Sequence, residues 1–302
     1  MDPALSRLRV PPGKGSCPES GPFCPNDEAF ERLVADLGVA MAPTVGNGAA
    51  SLGLRGFSLR LSTSVTPISG RHWILGSAGP SAAENSFNPS PNSALTWNRI
   101  EVRKGLPFGL EIGGALGHGF DTSLWTFSGE LRVALFEGFH SGLGALPDVA
   151  VRAAYQSMAG SHDMSLQTIS FDVTLSKPYV VGGRHELTPL VALQALFANA
   201  STQPIDFTPD VSAWDDCAPE PGGACTNAGA VDFMNTRRFA SVQQTRIRLF
   251  LGLEERYGPF SGTFTFGFDL VAPERTADTT GDGMDDALPH ALTLHFALGL
   301  RY

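Results

Sequence analysis

Residues 292–302 read LTLHFALGLRY. Leu292, Leu294, Phe296, Leu298, Leu300 and Tyr302 take every second place, with Thr293, His295, Ala297, Gly299 and Arg301 between them. A period of two sends alternate side chains to opposite faces of an extended strand. One face here is wholly apolar and the other is small, polar or charged, so the segment reads as a strand lying between an apolar phase and a polar one.

The same period recurs upstream, with apolar positions alternating within 57–65, 110–116, 125–135, 149–155, 169–175, 191–197, 247–253 and 260–270. The opposite face carries residues such as Ser58, Ser62 and Ser64, Ser170, Thr174 and Ser176, and Thr263, Thr265 and Gly267. Such a face suits a narrow polar lumen better than bulk water. Residues 94–104 are less regular, because Leu95 and Trp97 are out of phase with Ile100 and Val102; a bulge between the two halves is expected to reconcile them. The total is about ten strands, twelve at most, of roughly 9 to 13 residues each, longer than the strands of soluble sheets. About 9 to 11 tilted residues cross a bilayer.

Composition agrees. Of the 302 residues, 42% are hydrophobic and only 17% charged, against about 25% charged in soluble domains, yet mean hydropathy is zero. The apolar residues are therefore interleaved with polar ones, and none of the uninterrupted runs of about 20 that a spanning helix needs is present. A net charge of -9 argues against nucleic acid as a partner. Met1-Asp2-Pro3 does not begin a secretory signal, so the export signal is expected to have been removed or the start misplaced. Cys17/Cys24 and Cys217/Cys225 are two close pairs among Pro, Gly and Ser. Their spacing suits two local disulfides in an oxidising compartment better than zinc or free thiols.

Connections carry a separate signal. Short links such as KGLPFG, PYVVGGRH and ERYGP largely alternate with long ones at 67–93, 198–239 and 271–290, the asymmetry of periplasmic turns and extracellular loops. Phe108, Phe136, Phe139, Tyr179, Tyr257, Phe260 and Tyr302 fall at the assigned periplasmic ends, and Phe120, Trp125, Phe197 and Phe239 at the extracellular ends, as two aromatic girdles. Ahead of the strands, residues 1–52 form a periplasmic or plug segment. Asn26 caps a helix over about 26–38 with Phe30, Leu33, Val34 and Leu37 on one face and Gly38 ending it. Residues 53–302 form the barrel.

With the strands in place, the closing segment resembles the carboxy-terminal assembly signal of bacterial outer-membrane β-barrel proteins, carried by Leu294, Phe296, Leu298, Leu300 and Tyr302. That resemblance implies the outer membrane of a Gram-negative bacterium, contact with its lipid, and insertion by the barrel-assembly machinery. A weaker resemblance, to the outer-membrane transporters of long-chain fatty acids and other hydrophobic compounds, rests on GNGAASLG at 46–53 and AENSFNPSPNSAL at 83–95. It implies a small hydrophobic ligand.

Inward positions in this reading include Arg60, Arg99, Glu101, Arg103, Glu130, Arg132, Arg152, Asp172, Gln194, Arg246, Arg248, Glu254, Asp269, His295 and Arg301. Two readings stay open: an Arg/carboxylate network that fills the interior, and a weakly anion-selective path lined by excess Arg. In DTTGDGMDDA at 278–287, Asp278, Thr280, Asp282 and Asp286, with the backbone of Met284, match calcium-loop positions one, three, five, nine and seven, while Pro289 stands where the closing Glu would be. Calcium binding and a merely solvated acidic loop both remain open. Ser161, His162 and Asp163 are adjacent and cannot form a triad. His118, Asp121, His162, Asp163 and His290 could stand at an outer rim, as the acidic and His residues of omptin proteases do, but no pairing marks them, and the chain is expected not to be an enzyme.

The expectation is thus an all-β, transmembrane, antiparallel up-and-down barrel with a short amino-terminal helical segment. It is read as a narrow channel or transporter for small molecules, with hydrophobic ones as one option, the alternative being a non-transporting structural or surface-interaction and adhesion barrel with long extracellular loops. The purified protein is expected to migrate faster on a denaturing gel before boiling than after; normal solubility without detergent would refute the barrel.

Overall fold

A computed structural model of the chain describes residues 2–15, 17–19, 22–68, 71–77, 91–136, 146–209, 235–271, 288 and 290–302. Helix α1 spans Asp27–Met41 and strand β1 Phe57–Pro67, followed by a short helix α2 over Arg71–Gly76. The remaining barrel strands are β2 (Ala94–Gly105), β3 (Leu110–Gly119), β4 (Trp125–Phe136), β5 (Asp148–Ala159), β6 (Met164–Ser176), β7 (His185–Thr202), β8 (Val242–Tyr257), β9 (Phe260–Val271) and β10 (Leu292–Arg301). Each pairs antiparallel with its neighbour in sequence, and β10 returns to β1. The ring of ten strands is closed.

Closure is made by the segment quoted first. Leu294 lies opposite Val65 and Arg301 opposite Ser58, and Tyr302 exchanges two backbone hydrogen bonds of 2.9 Å with Phe57. No edge strand is left in the ring to seek another partner.

Side chains sort as the period of two demands. Leu59, Leu61, Ile100, Val102, Phe171, Leu193, Phe264, Phe296 and their equivalents stand exposed on the outer wall, while Arg60, Ser62, Arg99, Asp172, Arg248 and His295 are buried inside. Backbone groups crossing a bilayer are all satisfied within such a ring. Links at the Phe57/Tyr302 end are mostly short, as in Gly105–Leu110 and Tyr257–Phe260, the β4–β5 link over 137–147 being longer, whereas the longest links, β1–β2 and β7–β8 among them, lie at the other end. The first end is therefore periplasmic and the second extracellular.

Three expectations need correction. No bulge interrupts residues 94–104: the register from Phe57 opposite Lys104 to Pro67 opposite Ala94 is unbroken. Leu95 and Trp97 simply point inward, where both are buried in a hydrophobic cluster with α1. Secondly, Gly38 does not end α1. A Cβ built on it would lie 3.2 Å from the Ala198 Cβ, so glycine there lets the helix approach the wall. The helix runs on to Met41 and stops before Pro43, whose ring pushes Ala42 to an extended conformation (φ -47°, ψ 144°). Asn26 caps the start as expected, its side-chain oxygen accepting from the Ala29 N–H at 3.0 Å. Thirdly, Phe239 belongs to no girdle; it is buried between Phe30 (4.8 Å) and Phe207 (5.6 Å). Phe139 lies outside the described residues.

The belt makes a depth-dependent prediction. Phe264→Arg, in mid-strand on the outer wall, should cost about 2–4 kcal/mol in unfolding from lipid vesicles, and Phe260→Arg, at the periplasmic edge, about 0–1 kcal/mol. Equal costs at the two depths would show that the belt is placed wrongly.

Candidate functional site

Residues 42–52, APTVGNGAASL, have no helical or strand period and contain a proline and two glycines. They form no regular element, yet most are buried. Backbone N–H and C=O groups inside a protein must find partners. Here the partners are inward-facing side chains of the barrel wall.

From the extracellular half downward, the Arg99 guanidinium donates to the carbonyls of Ala40 (3.1 Å), Met41 (2.7 Å) and Ala42 (3.1 Å). Those are the orphan acceptors at the carboxyl end of α1, which has no basic residue of its own in its last turn. The wall thus supplies the positive charge that the helix terminus favours. Gln156 also donates to Met41. Gln194 then donates to the Pro43 carbonyl (2.9 Å), Arg152 to Thr44 (3.1 Å), Thr265 to Val45 (3.0 Å) and Arg60 to Gly46 (2.7 Å). Arg132 donates to Gly48, and Arg301 to Ser51 at 2.7 Å. Backbone N–H groups of the segment find acceptors in Glu254 (from Gly48, 2.7 Å), Ser176 (from Ala49, 2.6 Å) and Glu111 (from Leu52, 2.6 Å). The segment therefore runs down the lumen and leaves at the periplasmic mouth, where β1 begins.

It passes closest to the wall at Gly46. A Cβ there would stand 2.7 Å from His295 Nε2 and 3.2 Å from an Arg60 nitrogen. His295 is fixed beside it by Thr44, whose hydroxyl is 3.2 Å from Nδ1.

The wall side chains are also paired among themselves. Arg152 meets Asp172 and Glu130, each at 2.9 Å, and Glu130 also holds Arg103. Arg132 meets Glu111 at 2.9 Å, Asp269 takes both Arg246 and Arg248, and Arg301 is 4.0 Å from Glu254. Glu101 accepts from Ser62 at 2.6 Å. Buried charges endure when paired and hydrogen-bonded, and here the third partner is the backbone of residues 40–52. Glu111 was not among the inward residues singled out from sequence, although its place between Leu110 and Ile112 marks it as inward.

Above this polar half, the lumen is apolar. Phe30, Leu33, Val34, Leu37 and Met41 of α1 pack with Trp97, Leu124, Met158, Met164, Leu166 and Phe239. Polar bonds interrupt that contact: Gln244 of β8 donates to the Glu31 carbonyl at 3.0 Å, and the buried Asp36 carboxylate of α1 accepts from the Trp73 indole at 2.6 Å and lies 3.0 Å from His72 Nε2, both on α2. Cys17 and Cys24 are disulfide-bonded in the segment ahead of α1.

The remaining predicted sites do not assemble. His118 stacks on Trp125 with ring centroids 4.5 Å apart on the outer wall, Asp121 accepts from Asn92 at 3.3 Å, and His290 lies 3.1 Å from the Asp269 carbonyl. His162 and Asp163 are exposed in the β5–β6 turn. Cys217, Cys225 and the calcium-loop residues 278–286 lie outside the described residues. Among the described residues no cluster of metal-ligating side chains occurs.

No protein-family model matches the sequence, and no curated protein matches it. Solved structures similar to the chain include the N-terminal β-barrel domain of OprF from Pseudomonas aeruginosa, at 7% identity and a TM-score of 0.32 over 83% of this chain and 99% of that one. Ail, the attachment invasion locus protein of Yersinia pestis, is similar at 10% identity and a TM-score of 0.27 over 82% and 99%. The translocator domain of the autotransporter NalP from Neisseria meningitidis is similar at 11% identity and a TM-score of 0.34 over 91% and 95%. The closed ring and its apolar outer belt make this chain a transmembrane β-barrel.

Proposed function

We infer that the protein is an outer-membrane barrel closed by its own amino-terminal segment, which does its work at the cell surface through the cap built on α1 and the extracellular loops, not as an open pore. The observation that carries this reading is the run of hydrogen bonds from the wall to the backbone of residues 40–52, which leaves the bore occupied along the polar half. The apolar half supports it too. Burial of Phe30, Leu33, Val34, Leu37 and Met41 is worth about 1.5–3 kcal/mol for each side chain, so withdrawal of α1 is opposed by apolar burial on the order of 10 kcal/mol.

A second reading, a gated conduit for small molecules with residues 1–52 as its hatch, is favoured by the polar lining of the lower lumen. Ten strands that served only as a scaffold could fill their interior with their own side chains. In this barrel the axis is filled by a separate stretch of chain held by side chains that water could equally well solvate.

One experiment bears on both. In planar bilayers the intact protein should show no conductance steps, and a variant lacking residues 1–52 should show them. A deletion variant that keeps its heat-modifiable gel mobility but stays closed would sink the assignment of the segment as plug. Steps from the intact protein at modest voltage would instead favour the conduit over the surface role.

A further inference from the structure

The arginines of the lumen are not all neutralised in the same way. Arg103, Arg132, Arg152, Arg246, Arg248 and Arg301 each meet a carboxylate of the wall. Arg60 and Arg99 form no ion pair among the described residues, and the acceptors they do have are neutral. Arg99 donates to the Ser64 hydroxyl (2.9 Å) and to the carbonyls of Ala40, Met41 and Ala42; Arg60 donates to the Gly46 carbonyl (2.7 Å) and to the side-chain oxygen of Asn47. Both are buried, 3% and 4% exposed. Donors are left over as well: Nε and one terminal nitrogen of Arg60, and Nε of Arg99, have no partner.

A buried guanidinium is costly without an anion to answer it. The segment in the lumen answers these two with carbonyl dipoles only. At Arg99 those dipoles are the carboxyl end of α1, which carries about half a negative charge. The Met41 carbonyl there accepts from Arg99 on β2 (2.7 Å) and from Gln156 on β5, so donors from two separate strands converge on one oxygen. Such convergence is what holds an oxygen or halide of an anion. The acids of the wall do not cancel it. Glu101 lies opposite Arg60 in register but accepts from Ser62. Nearer the periplasmic mouth, Glu111 and Glu254 keep Arg132 and Arg301, and Asp148 is buried at the start of β5. With the segment gone, the stretch from Arg99 to Arg60 would hold two guanidinium groups and one carboxylate.

We propose that residues 40–46 occupy an anion path. In the open lumen Arg99 with Gln156, and then Arg60, hold small monovalent anions where the carbonyls of Met41 and Gly46 now stand, and these two stations make the conduit anion-selective. The proposal rests on the reading of residues 1–52 as a hatch, and it names the class of solute that the hatch admits.

Planar-bilayer recordings test it on the full chain carrying Leu33→Glu and Leu37→Glu, which place two carboxylates in the apolar contact of α1. A variant lacking residues 1–52 is the second route to an open lumen, and heat-modifiable gel mobility is measured on both. Under a potassium chloride gradient the reversal potential of the steps should show chloride preferred over potassium by about threefold or more. Adding Arg60→Gln and Arg99→Gln should bring that preference to about unity or reverse it. Open channels that are non-selective or cation-selective before those two changes would overturn the anion path and leave the hatch standing. A preference for chloride that survives both changes would overturn the two stations. Folded variants that both stay closed would overturn the hatch and the path with it, and so would loss of the heat-modifiable form in both, because the wall could not then stand without the segment.

Discussion

The buried backbone of residues 40–52 is the constraint on which the interior depends. An unpaired carbonyl or N–H away from water costs a few kcal/mol, and a dozen irregular residues inside a barrel present many. A regular element would satisfy them internally, but a stretch with Pro43, Gly46 and Gly48 forms none. The wall must therefore present donors at irregular heights. Arginine does this best, because a planar fork can hold a neighbouring strand's carboxylate on one edge and a carbonyl on another. Arg152 spans Asp172, Glu130 and the Thr44 carbonyl, and Arg132 spans Glu111 and the carbonyls of Gly48 and Ala50. Lysine, a point charge on a flexible stem, has no such geometry. The chain has only Lys14, Lys104 and Lys177 against eighteen arginines.

The two halves of the lumen are held by different physics. Near the extracellular end, α1 docks by apolar burial, and the inner wall there changes from Ser, Thr and Arg to Leu95, Trp97, Met158, Met164 and Leu166. Lower down, the contact is polar. Polar bonds occur in the upper half too: Gln244 of the wall reaches the Glu31 carbonyl, and Asp36 is answered by His72 and Trp73 on α2, so that the first extracellular connection is tied to α1. The cap is thereby one packed unit with the top of the barrel.

This division explains what could be read from sequence. Lipid imposes a strict period of two on the outer face, so the strands, their count and the seam at Tyr302 were legible. Inward-facing charges were legible by the same alternation. Their partners were not, because a carbonyl carries no signature in sequence and the acceptors of Arg99 lie more than fifty residues from it. Leu95 and Trp97 did carry a signal of docking. Their apolar character on the lumen face suggested a break in the strand, when it marked the surface to which α1 is fastened. Gly38 misled for a related reason: glycine ends helices, but it also lets one approach a wall, and only the position of Ala198 distinguishes the two.

The place where the segment enters the lumen bears on how it gets there. Residues 1–56 precede β1, and β1 is the strand whose pairing with β10 closes the ring. Threading a helix and the loop closed by Cys17–Cys24 through a finished bore would require the polar and apolar halves to be crossed in turn. An open sheet with its seam unpaired needs no threading. The segment can lie along the inner face of β2 to β8, with Arg99, Arg152 and Gln194 taking its carbonyls, before β10 pairs with β1 over it. The dependence is unequal: wall arginines left without the segment would be solvated by water in an empty lumen, whereas residues 42–52 form no regular element and take their backbone partners from the wall. The strand that completes the ring by pairing with β1 thus also holds the segment, because His295 on β10 stands beside Gly46 and Thr44.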